Sequence, residues 1–124
     1  MKVQILKSKI HRVKVTDANL DYIGSITIDE RLMKAANILE GEKIQVVNNN
    51  NGERFETYCI PAPPGSGEIA LNGAAAHKGK AGDLLVIITF IQLDPEEASA
   101  WDPRLVIIED NNTSFKMLTS QIKD

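Results

Sequence analysis

Residues 43–60 read KIQVVNNNNGERFETYCI. Two runs of strand-forming residues, KIQVV and RFETYCI, flank four asparagines and a glycine. Asn51-Gly52 favours a tight hairpin turn, because Asn and Gly tolerate the positive φ that such a turn requires. The stretch therefore predicts a β-hairpin, and it indicates that the chain is built largely from strands.

Further short apolar runs extend this pattern along the chain. Val13 and Val15 alternate with polar residues, which is typical of a strand with one buried face. LLVIITFI at 84–91 predicts a strand buried on both faces, and LVIIE at 105–109 predicts another. PAPPGSG at 61–67 predicts a stiff loop, because prolines interrupt helices and central strands.

Two segments predict short helices. In DERLMKAANILEG, Asp29 is placed to cap the N-terminus and Gly41 to end the helix. Apolar residues at helical spacing then share one face: Leu32, Ala35, Ala36 and Leu39. In DPEEASAW at 94–101, Asp94 is the predicted cap, a proline follows it, and Glu97 closes a capping box. Short strands with two small helices predict a small β-barrel.

Length and composition limit the kinds of protein that this chain can be. Its 124 residues predict a single domain over 1–124, with 43% hydrophobic and 25% charged residues. A net charge of −3 without a basic cluster argues against nucleic-acid binding. The longest apolar run, 84–91, is too short to cross a membrane. We also expect the polar tail at 111–124 to be partly disordered.

The cysteine content and the N-terminus bear on the compartment. Cys59 is the single cysteine, which excludes an internal disulfide framework and a cysteine-based zinc site. Residues 1–15 alternate charge and apolarity, unlike a signal peptide. These features predict a cytoplasmic protein.

The stretch DYIGSITID at 21–29 places a Gly-Ser pair inside strand-forming residues. Glycine weakens a strand and often marks a bulge or a special site. Two interpretations stay open from the residues alone. Gly24-Ser25 is either a structural bulge or tight bend, or a peptide bond that is made to be broken.

Three groups of residues are candidates for chemistry. Alternation along 54–60 places Arg54 and Tyr58 on one strand face, where they could bind a carboxylate and donate a proton. An arginine paired with a surface glutamate and a packed tyrosine is the commoner arrangement. LNGAAAH at 71–77 allows either close approach of a ligand to the backbone or a short helical turn. Lys9, His11 and the distant His77 lack metal-ligand spacing, so no metal is expected.

Together these segments resemble the pyruvoyl-dependent aspartate decarboxylase family. The resemblance is carried by KIHRVKVT at 9–16, Tyr22-x-Gly24-Ser25, GERFETY at 52–58, NGAAAH at 72–77 and GD at 82–83. It runs in order, without large gaps, from the N-terminus to about Pro103. Motifs in register across most of a short chain are together highly specific.

The resemblance implies an answer for the Gly-Ser pair. In this family the chain cleaves itself at that bond, which here gives chains 1–24 and 25–124. Ser25 would attack the Gly24 carbonyl, and Thr57 would be the donor to the developing oxyanion. Elimination and hydrolysis would leave a covalently bound pyruvoyl group at the position of Ser25.

The resemblance also implies roles for the site residues. The pyruvoyl group would form a Schiff base with L-aspartate and serve as the electron sink for loss of CO₂, giving β-alanine for pantothenate synthesis. Tyr58 would be the proton donor, and Arg54 and Lys9 would bind the substrate. The remaining members of the site are Thr57, Asn72, Gly73, Ala74 and Ala75 for substrate binding, with His11 and Tyr22 as its lining.

The family's architecture sets further expectations. It implies a six-stranded double-psi β-barrel with two or three short helices, assembled as a homotetramer with sites between subunits. Many relatives have tryptophan where this chain has Val47, so that wall of the site is expected to differ. Alternation places Thr57 opposite Arg54 and Tyr58, which requires a bulge or a neighbouring subunit to bring them together.

Two other hypotheses remain at this stage. One is a non-catalytic β-barrel interaction module, in which Gly24-Ser25 is a structural bulge. The other is a precursor that stays largely uncut until a maturation factor triggers cleavage. Spontaneous cleavage of the chain distinguishes the decarboxylase from the interaction module.

Overall fold

The computed structural model describes residues 1–118, and its fold is mainly β. That part of the chain contains nine strands: β1 Val3–Lys14, β2 Asp17–Asn19, β3 Ser25–Asp29, β4 Lys43–Asn48, β5 Arg54–Ala62, β6 Ile69–Asn72, β7 Leu84–Leu93, β8 Arg104–Ile108 and β9 Phe115–Leu118. The helices are α1 Glu30–Ala35, α2 Pro95–Ala100 and a 3₁₀ helix at Gly73–His77. The mainly β class is confirmed.

The strand count exceeds the expected six. Three of the nine strands in the described chain, β2, β6 and β9, have only three or four residues. Segments of this length are too short to show a period-2 pattern in the sequence. Their pairing partners, rather than their own residues, make them strands.

The strands are hydrogen-bonded in the order β2-β6-β3-β5-β4-β7-β1-β8-β9. The predicted hairpin is confirmed as the antiparallel pair β4–β5, with Val47 opposite Arg54. β1 lies between antiparallel β7 and parallel β8. β3 lies between parallel β5 and antiparallel β6. β2 pairs in parallel with β6, and all three parallel pairs within residues 1–118 join segments that are distant along the chain.

The hairpin turn differs from the expected one. Gly52 has a φ of +76°, whereas Asn51 is not in the positive-φ region. Residues 49–53 connect the two strands, so the loop is longer than a two-residue turn. A loop of this length needs one left-handed residue, which Gly52 supplies.

The two ends of the strand order approach each other, which gives the fold its barrel-like shape. Asn112, between β8 and β9, donates through Nδ2 to the carbonyls of Lys14 and Gly67, each at 2.8 Å. Its Oδ1 accepts from the Lys14 N–H at 2.8 Å. The chain just before β6 is thereby tied to the end of β1. The enclosed core includes Ile10, Val13, Val15, Ile26, Ile28, Leu32, Ile44, Leu71, Leu85 and Ile87.

The first helix begins as predicted but ends early. The Asp29 carboxylate accepts from the Arg31 N–H at 2.9 Å, which confirms the cap. α1 ends at Ala35, and Asn37 takes a left-handed φ of +58°. Leu39 is 71% exposed, so its predicted place on the buried helix face is wrong. The Ile38 N–H bonds instead to the Met33 carbonyl at 2.8 Å, which closes the helix before Gly41.

Two other boundaries also need correction. β5 continues through Pro61 to Ala62, within the segment predicted as a loop. Pro61 is tolerated because β5 pairs there with β3 on one edge, while its pairing with β4 ends at Tyr58. Residues 111–118 of the tail form a turn and β9, which pairs with β8. The rest of the tail, 119–124, lies outside the described residues.

Candidate active site

The Gly-Ser pair lies where a bend enters a strand. Gly24 is in the bend, and β3 begins at Ser25. Ser25 pairs with Asn72 of β6, and the pairing continues without a register shift to Ile28. The pair is therefore not a bulge within β3. The peptide bond between the two residues joins an exposed bend to a buried strand.

The Ser25 hydroxyl is held inside the protein. Its residue is 2% exposed, and Oγ accepts a hydrogen bond from Asn72 Nδ2 at 3.0 Å. The same nitrogen donates to Thr27 Oγ1 at 2.9 Å. One side-chain amide thus joins two hydroxyls of β3 at the start of that strand.

Gly73 packs directly against the bend. A Cβ at this position would lie 2.8 Å from both Gly24 N and Gly24 Cα, and 2.9 Å from the Tyr22 carbonyl oxygen. Its φ is +62°, a conformation that residues with a side chain rarely adopt. Ala74 and Ala75 follow in the 3₁₀ helix, so the predicted helical turn is confirmed. A cleft of about 270 Å³, lined in part by Tyr22, Thr27 and Asn72, opens nearby.

Parallel pairing of β3 with β5 determines where Tyr58 and Thr57 lie relative to the residues of β3. Ile26 pairs with Cys59, and both side chains are fully buried. One residue earlier on each strand, Ser25 is level with Tyr58 on the opposite face. Gly24 precedes β3 in the bend, and Thr57 precedes Tyr58 on β5. The register therefore places the start of β3 beside Tyr58.

The predicted alternation along β5 is confirmed, with Arg54, Glu56 and Tyr58 exposed and Cys59 buried. β5 pairs with β4 from Arg54 to Tyr58 without a register shift. The structure therefore does not contain the bulge that would turn Thr57 toward Arg54. Thr57 stays on the face opposite Tyr58.

The outer face is the surface of β5, β4, β7 and β1 that carries Arg54, Val47, Val86 and His11. These four residues form one row across the strands, because Val47 pairs with both Arg54 and Val86, and Val86 pairs with His11. Lys9 lies in the next row, opposite Ile88. At about 4.8 Å a strand, His11 and Lys9 are roughly 14 Å from β5.

Charges on the outer face have distinct surroundings. Burial lowers the pKa of His11 below its ordinary 6.5, and the positive charges of Lys9 and Arg12 lower it further. These surroundings favour the neutral form of the His11 imidazole. Arg54 is exposed, and its Nη1 donates to Gln45 Oε1 at 3.1 Å. Lys9 and His11 border a cavity of about 150 Å³, which Leu118 of β9 also lines.

Comparison with known proteins identifies the family. The profile of the aspartate decarboxylase family matches residues 1–115. The chain belongs to this family. Aspartate 1-decarboxylase of Christiangramia forsetii is 59% identical over 116 residues, which cover 94% of this chain and 100% of that protein. The enzymes of the same name from Cytophaga hutchinsonii and Shouchella clausii are 56% and 51% identical. Those matches cover 90% and 94% of this chain, and 97% and 92% of those proteins.

Within this aspartate decarboxylase chain, the candidate residues fall into two groups. The first surrounds the Gly-Ser bond and contains Tyr22, Gly24, Ser25, Asn72, Gly73, Ala74 and Ala75, with Thr57 and Tyr58 on the adjoining strand. The second lies on the outer face and contains Lys9, His11 and Arg54. Arg54 is four residues from Tyr58 on β5, a separation of roughly 13 Å. One chain therefore does not bring the two groups together.

A larger cavity, of about 420 Å³, lies away from both groups, and Arg12, Lys14 and Asn112 are among its lining residues. The Asn112 amide is already used in tying β1 to the chain before β6, so the cavity follows from the closure of the fold. Over residues 1–118, no three His, Cys, Asp or Glu side chains are grouped to hold a metal ion. Within the same range, the helices are too short or too polar to traverse a bilayer.

Sequence reasoning missed Thr27 as a residue of this aspartate decarboxylase site. Thr27 is an ordinary strand former, and its 9% exposure follows from tertiary packing. One available signal was its period-2 relation to Ser25, which places the two side chains on one face of β3. Its partner Asn72 was predicted only as a substrate-binding residue.

Proposed function

We propose that this chain converts L-aspartate to β-alanine and CO₂, through a pyruvoyl group formed from Ser25 after self-cleavage at Gly24–Ser25. The product then serves pantothenate and coenzyme A synthesis. Membership of the aspartate decarboxylase family supports this reaction. The observation that carries the proposal is the buried Ser25 hydroxyl, bonded to Asn72 and joined to a bend against which Gly73 packs.

Self-cleavage begins with an acyl shift. The Oγ–C bond forms as Ser25 attacks the Gly24 carbonyl carbon, the Gly24 C–N bond breaks, and the hydroxyl proton passes to the leaving nitrogen. Thr57, on the strand that pairs with β3, donates to the oxygen on which negative charge develops. Elimination then releases the Gly24 carboxylate, and one water replaces the nitrogen, which leaves as ammonia. The products are chains 1–24 and 25–124.

The residues around Ser25 leave space for the small carbonyl group that would form from this serine. Gly73 contributes no side chain there, and the nearby cleft of about 270 Å³ gives access. When formed, the pyruvoyl group supplies an electron sink for the carbanion that remains after CO₂ leaves. Tyr58, on the strand that pairs with β3, would supply the proton that takes the place of CO₂.

The outer face supplies the positive charge for a dicarboxylic substrate. Arg54 binds the retained carboxylate through paired N–H donors, and Lys9 adds a second cation. His11 and Tyr22 line the site. The substrate is positioned by Thr57, Asn72, Gly73, Ala74 and Ala75.

A homotetramer with sites between subunits accounts for the separation of the two groups. The roughly 13 Å between Arg54 and Tyr58 is too long for one aspartate to bridge in a single chain. The outer face also presents apolar side chains, including Val47, Ile88 and the 42% exposed Phe90. Such a face is suited to burial against a second copy. We place the protein in the cytoplasm, where the free thiol of Cys59 stays reduced.

A non-catalytic barrel module is not favoured. The family match and the relatives named aspartate 1-decarboxylase favour the enzyme. We propose a maturation factor as a partner only if the purified chain stays uncut by itself.

Incubation with ¹³C-labelled L-aspartate, followed by NMR, tests the proposed reaction. Wild-type protein is expected to form β-alanine and CO₂, while Ser25→Ala forms neither because it lacks the hydroxyl. A Ser25→Ala protein that produces β-alanine at the wild-type rate would contradict the proposal. So would a fully cleaved wild type without decarboxylase activity.

A further inference from the structure

The hydrogen bond that Ser25 receives is shared with a second hydroxyl. Asn72 Nδ2 lies 3.0 Å from Ser25 Oγ and 2.9 Å from Thr27 Oγ1. An amide nitrogen carries two hydrogens, so each hydroxyl accepts one of them. All three residues are at most 9% exposed, which limits competition from water. Thr27 therefore accepts the second hydrogen of the amide that contacts Ser25.

The second hydrogen bond restrains the Asn72 amide. The terminal torsion of asparagine is broad, so an amide held by one hydrogen bond can rotate over a wide range. Thr27 fixes the plane of the amide, and with it the direction of the hydrogen that points at Ser25 Oγ. That bond uses one lone pair of Oγ. The other lone pair and the hydroxyl hydrogen remain for attack and proton transfer.

We propose that Thr27 is a positioning residue for self-cleavage. By accepting the second hydrogen of the Asn72 amide, it holds that amide against Ser25 Oγ and sets the approach of the oxygen to the Gly24 carbonyl. The inference rests on the proposed function, since it concerns the acyl shift described there. Thr27 forms or breaks no bond in that step and acts only through Asn72.

Two substitutions at Thr27 test the contribution of its hydroxyl group separately from that of its side-chain volume. Thr27→Val keeps the volume and the β-branching but removes the acceptor, which leaves one Asn72 hydrogen without a partner. Thr27→Ser keeps the hydroxyl and removes a methyl group. Thr16→Val is the matched control, because Thr16 Oγ1 bonds the backbone of Ile69 on β6, away from Ser25.

The experiment follows the uncut fraction of freshly purified full-length chain by intact-mass spectrometry at a fixed, elevated temperature. Thr27→Val is expected to slow cleavage by about 10-fold, because the hydrogen bond that holds the Asn72 amide in place is lost. Thr27→Ser and Thr16→Val are expected to stay within about 2-fold of wild type. Circular dichroism of each uncut chain verifies the fold before cleavage begins.

Other outcomes would overturn the inference. Thr27→Val cleaving at the wild-type rate would show that the hydroxyl is not needed, although wild-type cleavage would still support the proposed function. Thr27→Ser as slow as Thr27→Val would assign the effect to the methyl group. Slowing of Thr16→Val to the same extent would assign it to loosening of β6. A wild type that stays uncut after prolonged heating and after addition of a maturation factor would remove both the proposed function and this inference.

Discussion

The Gly-Ser region and the outer face are built in opposite ways. Around Ser25, hydrogen bonds and close backbone packing within one chain define the position of each group, as Asn72 and Gly73 show. On the outer face, Arg54 and Lys9 lie strands apart on an exposed surface. Under the proposed function, this difference predicts that one chain is sufficient for self-cleavage, whereas decarboxylation needs a second copy to complete the site.

The largest expected effect would come from filling the space beside Gly24. Gly73→Ala places a methyl group 2.8 Å from Gly24 N, so the bend must move and cleavage is expected to become undetectable. Gly52→Ala is the control, because Gly52 also has a positive φ, +76°, but has nothing within 4 Å. Both substitutions strain the backbone by about 1 kcal/mol. Intact-mass measurement checks the result, and normal cleavage of Gly73→Ala would contradict it.

A substitution at Tyr58 separates cleavage from decarboxylation. Tyr58→Phe is expected to fold and cleave normally but to lose decarboxylation roughly 100-fold, because the proton donor is missing. Glu56→Gln is a matched control on the same face of β5, where Glu56 pairs with Lys43 at 3.4 Å in solvent. β-Alanine formation and intact mass are measured on the same samples. Full activity of Tyr58→Phe would assign proton donation to another group.

Mixed assemblies test whether two copies form one site. Ser25→Ala and Arg54→Ala chains are each expected to be inactive alone, for lack of the pyruvoyl group and of carboxylate binding. Co-expressed at equal amounts, they are expected to recover about one quarter of the wild-type rate if assembly is random. In some of the sites, the intact Ser25 of one chain then meets the intact Arg54 of another. Absence of recovery in verified mixed assemblies would place both groups in one chain.

The smallest effect is expected at Cys59, a buried residue that pairs with Ile26 next to the Gly-Ser bond. Burial raises the pKa of the Cys59 thiol from 9.0 to about 11, and the Glu42 charge adds to the shift. At pH 8 the native chain therefore has about 100-fold fewer thiolates than an unfolded one, so iodoacetamide labelling is slow. Cys59→Ala is expected to cleave within about 2-fold of wild type. Rapid labelling of the native thiol would contradict its burial.

Local patterns predicted most of the fold. The β4–β5 hairpin, the cap at Asp29 and the alternation along β5 follow from neighbouring residues alone. The end of α1 was missed, because the left-handed turn at Asn37 interrupts an otherwise regular helical pattern. β9 was missed because a four-residue strand depends on its partner β8.

The relative positions of the site residues were harder to predict from the sequence. Motif resemblance identified the candidate residues, but their mutual placement depends on the parallel register of β3 with β5 and of β1 with β8. These pairings join segments far apart in the chain, so no local period encodes them. Thr27 was missed for the same reason, since its bond to Asn72 crosses 45 positions of sequence.

The most direct test of the account is the intact mass of the purified, denatured protein. Two chains split after Gly24 are expected, and the larger begins at the former Ser25 and reacts with a carbonyl reagent at its N-terminus. A single chain of 124 residues that persists after heating and after addition of a maturation factor would contradict it.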